Sequence, residues 1–407
     1  MNSQKIVICG EVYSPNLGDA VIAESLSYLI QQLSPFTPHL LDFSSRQPNQ
    51  QKLLHEVSFG MAVHQKRRIE RLFWRMVLAI CSRERAMLIW WFFKWRKQRY
   101  HFYQQELDQA VALVFGGGNI LADNQFNFPL KIYGVAECAQ KMRIPVLYYG
   151  CGVNLKWSSI ATRLFRQAFQ QTSYLSLRDN ESLQRITQRA PNLPCKPSVV
   201  WDVAINCAEA YGIDRCSKAR MIGLGICSAA VLSRHTPAQA DFFQNELISF
   251  WVNIAEALTA KSIPFQLFTN GAKEDEQFAA QVIERMVAQG LPVPPLVCPK
   301  TALELVQDIS QFRAVIAFRL HACIIAHSLG IPTVGLKWDT KVESFFNKCK
   351  RDRYCISAEK LTADQVVDLM NDAILNYDVS ALETIKAESR QEIQQLISAI
   401  AVDGKNE

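Results

Sequence analysis

What most restricts the fold is a repeated punctuation: short apolar runs stop at polar or glycine-rich turns, and helical patterns follow. In the first half the runs are 5–10 (KIVICG), 110–115 (AVALVF), 144–149 (IPVLYY) and 173–177 (SYLSL). They lead into the loop EVYSPNLGD, Gly116-Gly117-Gly118-Asn119, Gly150-Cys151-Gly152 and Arg178-Asp179, and 196–201 leads to Asp202. In the second half the runs are 221–227 (MIGLGIC), 265–269 (FQLFT), 314–318 (AVIAF) and 333–336 (TVGL), with Asn270-Gly271 and Arg319-Leu320-His321 after the second and third. Helical stretches are expected at 20–33, 181–188, 240–261, 274–288 and 322–329, with two more within 362–400. Short apolar strands alternating with helices predict parallel α/β sheets, which bind ligands just beyond the strand carboxyl ends.

A shift in composition at 207–219 (CAEAYGIDRCSKA) predicts a linker. The expected fold class is therefore α/β, with two Rossmann-like doubly wound domains facing across a cleft. They would span 1–206 and 220–375, with a C-terminal helix and tail at 376–407. Glycosyltransferases of the two-Rossmann type share this layout with many unrelated enzymes, so the fold alone does not give a reaction.

Apolar residues make up 49% of the chain and charged residues 20%, which excludes a disordered chain. No run approaches the roughly 18 apolar residues of a membrane span. The opening MNSQKIVICGE has no basic segment leading into an apolar one, so no signal peptide is expected and the setting is read as cytoplasmic. The twelve Cys form no C-x-x-C pair and no zinc-spaced cluster, so reduced and mostly buried thiols are expected, with no metal.

The formal charge of +6 has a local origin. Segment 66–99 carries eleven Lys and Arg against two Glu, leaving 33 basic and 36 acidic residues elsewhere. The rest is a near-neutral globule, which does not suggest nucleic-acid binding over its surface. The segment has no Gly or Pro and interleaves Trp74, Trp90, Trp91, Phe92, Phe93 and Trp95 with basic residues. It reads as a helical insert. One reading is a hairpin lying on an anionic membrane surface. An equal one is a helical excursion packed on its own domain or on a second subunit, as in a homo-oligomer. Single-stranded nucleic acid is the weakest, and no nucleic-acid partner is expected.

The sharpest chemical pattern is A-F-R-L-H-A at 317–322. A buried strand would deliver Arg319 and His321 to a helix start, whose free N–H groups favour an anion. Arg319 offers a fork that matches phosphate or carboxylate, and histidine exchanges protons near neutral pH. A capping histidine beside a structural Arg–carboxylate pair is the alternative. His327, six residues on, falls on another face and reads as structural. Arg178-Asp179 is an anion clamp or a plain salt bridge. The 116–119 turn allows close approach to a ligand through Gly117, Gly118 and Asn119, but it is not G-x-G-x-x-G. Asp19, in Asn16-Leu17-Gly18-Asp19, either caps the helix expected at Ala20 or contacts a hydroxylated ligand.

Taken in order, six segments resemble the polysaccharide pyruvyl transferase family: G10-x5-N-L-G-D-A-V-I, V-F-G-G-G-N-I-L, Y-Y-G-C-G-V-N, L-S-L-R-D-x2-S, V-W-D-V-A, and A-F-R-L-H-A-x3-A-x3-G-I-P-T-V-G-L-x-W-D-x-K. One departure is Val203, where the family usually has Pro. The resemblance implies a GT-B-like fold. It also implies phosphoenolpyruvate as donor, its pyruvyl group moving to two sugar hydroxyls as a cyclic ketal with release of phosphate. Arg319 and His321 would hold the donor, with Leu320 beside them and Arg178 as a second anion contact. His321 would be the general acid/base. Asn16, Asp19 and the 116–119 turn would face the acceptor, a glycan or lipid-linked oligosaccharide of an exopolysaccharide, capsule or cell wall. No cofactor is implied. Work on a lipid-linked acceptor would suit a peripheral position at the inner face of the plasma membrane. A nucleotide-sugar glycosyltransferase and a non-catalytic scaffold of a polysaccharide synthesis complex are the competing readings.

The basic segment generates a test. The full chain should sediment with anionic liposomes, with binding that weakens as salt rises. Retention of that binding after deletion of 66–99 would reject the membrane reading.

Overall fold

The computed structural model describes residues 4–46, 88–89, 91, 96–232, 240–358 and 360–403. Most of the 66–99 insert, and with it the expected helical hairpin, lies outside the described residues. The chain forms two compact units. The first comprises Met1–Tyr13, Leu29–Val200 and Ile393–Glu407, and the second Ser14–Tyr28 and Trp201–Glu392. This division differs from the expected one in three places. The change of unit falls between Val200 and Trp201 rather than at 207–219, residues 14–28 group with the carboxy-terminal half, and residues 393–407 group with the amino-terminal one.

The first unit is built on six parallel strands: β1 (Lys5–Gly10), β2 (Thr37–Asp42), β3 (Ala110–Gly116), β4 (Val146–Cys151), β5 (Thr172–Leu177) and β6 (Ser198–Val199). Their order is β2-β1-β3-β4-β5-β6. Strand β4 is buried along its whole length and β1 and β3 nearly so, which explains their unbroken apolar runs. Strand β2 shows no apolar run, since it is an edge strand that contains Pro38 and is only half buried. From β1 the chain passes outward to β2 and returns to β3 on the other side, making the β1/β3 boundary the switch point of this sheet.

Trp91 belongs to the basic insert, yet it is 4% exposed and packs in the core of this unit beside Tyr133, at a ring separation of 5.8 Å. Leu88 packs against the same core, and Arg96 pairs with Glu137. This end of the insert is therefore a packing element, and a deletion that tests lipid binding is best confined to 66–87.

The second unit carries β7 (Ile222–Gly225), β8 (Phe265–Phe268), β9 (Ala314–Ala317), β10 (Thr333–Lys337) and β11 (Cys355–Ser357), again all parallel. The order β11-β10-β9-β7-β8 repeats the winding of the first sheet and puts its switch point between β7 and β9. Helices Ala240–Ala260, Lys273–Ala288, Ala302–Ser310, Leu320–Ser328, Thr340–Lys348 and Ala363–Leu375 surround it. Their start signals are local. Thr301 accepts from Glu304 N, and Thr362 and Gln365 form a capping box. Trp251 anchors the core against Phe318, with ring centroids 5.7 Å apart. Among the described residues no helix is long and apolar enough to cross a membrane.

His327 belongs to this packing. Its ring is buried beside Phe345 and Tyr377, and Nδ1 lies 2.7 Å from the Tyr377 hydroxyl. Burial, with Arg351 and Lys386 adding to it, depresses its pKa to about 3. The folded chain thus keeps a neutral ring where the unfolded chain would take up a proton. Stability should fall as pH drops from the unfolded value near 6.5 toward 3, by at most about 1.4 kcal/mol per pH unit from this group. Denaturant unfolding at stepped pH should show the gap between wild type and His327→Gln narrowing across that window. A constant gap would mean that His327 does not titrate on unfolding.

Candidate functional site

In the second unit, chemistry gathers at the switch point. Strand β9 ends at Ala317, and Arg319 becomes the N-cap of helix Leu320–Ser328. Among the described residues no side chain caps that helix, so its first-turn N–H groups keep the partial positive charge that attracts anions. Leu320 is half-buried at the helix start and His321 is 7% exposed.

Arg319 is fixed by a carboxylate from another element. Its Nε and Nη2 donate to Asp275 Oδ2 at 2.9 and 2.7 Å. Asp275, in the first turn of helix Lys273–Ala288, is fully buried and accepts from the Ser228 backbone N–H through Oδ1 at 2.9 Å. Burial works to lower the Arg319 pKa, but the Cys227 side chain, Asp275 and Asp19 together raise it above the ordinary guanidinium value. Neither bond to Asp275 uses Nη1, so the salt link engages one edge of the fork.

His321 has close neighbours on two sides. Nε2 lies 3.7 Å from Asp202 Oδ2, and both side chains are buried. Opposite stands Gly18: a Cβ added there would come within 2.5 Å of His321 Cβ and Nδ1. No side chain other than hydrogen fits between that helix and the imidazole. The helix begins at Leu17 rather than Ala20, so Asp19 sits in its first turn and is not the residue preceding it. Asp19 N–H donates to the Asn16 carbonyl, and Asn16 Nδ2 donates to Asp19 Oδ2, both at 3.1 Å. The Leu17 N–H donates to the Asn270 carbonyl at 3.0 Å. Asn16 and Asp19, expected on the acceptor side with the 116–119 turn, thus stand in the same unit as Arg319 and His321, and Asp19 lies within electrostatic reach of Arg319.

The first unit has its own cluster. Gly117 and Gly118 take left-handed conformations, with φ of 59° and 70°, directly after β3. Asn119 follows and donates from Nδ2 to Asn154 Oδ1 at 2.5 Å. A Cβ on Gly152 would meet Arg178 Nε, Arg178 Nη2 and Asn119 Oδ1, each at 2.8 Å, so these two side chains close over a bare backbone. Arg178 is 7% exposed, and its Nε and Nη2 make no hydrogen bond among the described residues. Its contact with Asp179 is loose, at 3.6 Å, because Asp179 caps helix Asn180–Arg189 through Ser182 N at 2.6 Å. A plain salt bridge does not consume this guanidinium.

Sequence reasoning missed Asp275, the contact between Gly18 and His321, and Asp202 as the neighbour of Nε2. Asp275 sits in the run KEDE, where nothing marks one acid as buried. Gly18 was visible only as part of N-L-G-D.

The family model described as polysaccharide pyruvyl transferase matches residues 16–340. No curated protein matches the chain. Among solved structures, a UDP-N-acetylglucosamine 2-epimerase superposes with a TM-score of 0.55 at 9% identity, over 98% of this chain and 95% of that one. The Methanocaldococcus jannaschii UDP-GlcNAc 2-epimerase in complex with UDP-GlcNAc and UDP gives 0.53 at 9% identity, over 97% and 99%. A putative UDP-N-acetylglucosamine 2-epimerase from Listeria monocytogenes gives 0.52 at 9%, over 96% and 91%. At such identities the likeness is one of fold, and it supports the GT-B-like α/β class.

Gly18→Ala tests the packing on the imidazole. The added methyl must push His321 aside, so the variant should lose about 1–3 kcal/mol despite the better helix propensity of Ala. Its His321 ring resonances should move while those of His327 stay. An unshifted His321 ring would show that the site has slack there.

Proposed function

The chain belongs to the polysaccharide pyruvyl transferase family, and from that membership we propose that it moves the pyruvyl group of phosphoenolpyruvate onto two hydroxyls of a glycan as a cyclic ketal, releasing phosphate. One observation carries the reading. The His321 imidazole and a guanidinium held by Asp275 along one edge stand together at a helix start that no side chain caps among the described residues, at the switch point of the second sheet.

The substrate chemistry fits those groups. Phosphoenolpyruvate carries a phosphate and a carboxylate on one carbon. Arg319 and the helix N–H groups supply positive potential for such a charge. Protonation of the methylene carbon makes C2 electrophilic, and a sugar hydroxyl adds there, losing its proton. The C2–O bond to phosphate then breaks and the second hydroxyl closes the ring. Of the two hydroxyl protons released, one balances the proton taken up by the methylene and the other leaves with phosphate. His321 is the general acid/base of this scheme, since histidine gives and takes protons near neutral pH. In the first unit, Arg178 is proposed as an anion contact in its own right, on the strength of its buried and unbonded Nε and Nη2. Gly117, Gly118 and Asn119 are proposed as the backbone and amide edge beside it.

A nucleotide-sugar reaction is the second reading. It is favoured by the likeness of fold to epimerase structures, one of which holds UDP-GlcNAc and UDP.

Thermal shift separates the two, because only the true donor should stabilise the chain at near-saturating concentration. Phosphoenolpyruvate should raise the melting temperature and UDP-sugars should not. With the right glycan, phosphate release should appear, and mass spectrometry of the product should show one added pyruvate less water. His321→Ala should reduce turnover by about 10²–10⁴-fold while remaining folded. Full turnover in that variant would remove His321 from the mechanism.

A further inference from the structure

We infer that Asp202 is a positioning residue for His321: its Oδ2 receives the Nε2 proton and leaves Nδ1 as the ring nitrogen that works on the substrate. The inference deepens the proposed reaction and rests on it for the choice of substrate. It begins from the 3.7 Å approach of Nε2 to Oδ2 between two buried side chains. Such contacts are often long in an empty site and tighten when substrate enters. A carboxylate accepts but does not donate, so it selects the tautomer that carries its proton on Nε2. Nδ1 is then left with a lone pair, or with the transferable proton of the imidazolium.

Asp202 is itself held on both sides. Its Oδ1 accepts from Ala204 N–H at 3.1 Å as the cap of the short turn Val203–Asn206. The preceding Trp201 is clamped through its backbone N–H to Glu392 Oε2 at 2.8 Å and its indole N–H to Glu388 Oε2 at 2.9 Å. The Lys348 ammonium lies over the indole at 4.1 Å from its centroid. Lys348, Glu388 and Glu392 all fall beyond residue 340, where the family match ends. The carboxylate that orients the imidazole is thus buttressed by a part of the chain outside the family pattern.

The substitution Asp202→Asn gives a sharp test. Oδ1 is committed to Ala204, so the amide nitrogen that replaces Oδ2 would face Nε2 and donate to it. The ring should then flip to the tautomer protonated at Nδ1. Long-range ¹H–¹⁵N spectra of the imidazoles, with His321 assigned by its absence in His321→Ala, read this directly and without turnover. The wild type should show a protonated Nε2 and a bare Nδ1 in the neutral form, and Asp202→Asn the reverse. With phosphoenolpyruvate and the glycan, kcat should fall about 10²–10⁴-fold while KM for phosphoenolpyruvate changes less than about threefold. A wild-type ring protonated at Nδ1 would overturn the inference without any variant. So would an unchanged tautomer in Asp202→Asn, or a flipped tautomer with kcat intact. If the wild type releases no phosphate from phosphoenolpyruvate, the reaction assignment falls, while the spectra still decide the role of Asp202.

Discussion

The second unit turns on one carboxylate with no exposed surface. Asp275 accepts two bonds from Arg319 and one from the Ser228 backbone. It thereby joins the segments that follow β7 and β9, the two strands flanking the switch point, to the first turn of a third element. A buried carboxylate without partners would be costly, and so would a buried guanidinium, so each secures the other. The same bond that satisfies burial also aims the fork. Arg319 is therefore structural along the edge that Asp275 holds.

The site around it is made by close approach. His321 packs against bare backbone at Gly18, with Asp202 as a buried neighbour of its Nε2. In the first unit the same device recurs, with Arg178 and Asn119 closing over Gly152. Backbone without a side chain lets polar groups sit where a methyl would exclude them. That explains why glycine-bearing motifs such as N-L-G-D and G-C-G stand next to the charged residues in space.

Much of this was legible in the sequence, for physical reasons. Central strands such as β4 and β9 are covered on both faces, so they read as unbroken apolar runs. Arg178, Arg319 and His321 were legible because they follow such runs directly. Edge strands were not: β2 is half exposed and β6 is two residues long. Partnerships across the chain were also hidden. Nothing local to Asp275 announces Arg319, and nothing in N-L-G-D announces an imidazole contributed from the far end of the chain. The first helix begins at Leu17, three residues before the expected Ala20: Leu17 and Gly18 look like loop, while the Leu17 N–H bond to Asn270 allows the helix to begin there. At position 91 the sequence left two readings equal, a lipid surface or packing on its own domain, and the burial of Trp91 in the core fits the second for that residue.

The second unit is discontinuous, since residues 14–28 belong to it while its remainder starts at Trp201. On a ribosome the short amino-terminal piece emerges first and must wait for most of the polypeptide before its neighbours exist. Gly18 and Asp19 consequently enter their environment late, through contacts of long sequence separation, which are the slow kind to form. The imidazole pocket thus forms only once two pieces of the second unit that lie far apart in the chain have both been made.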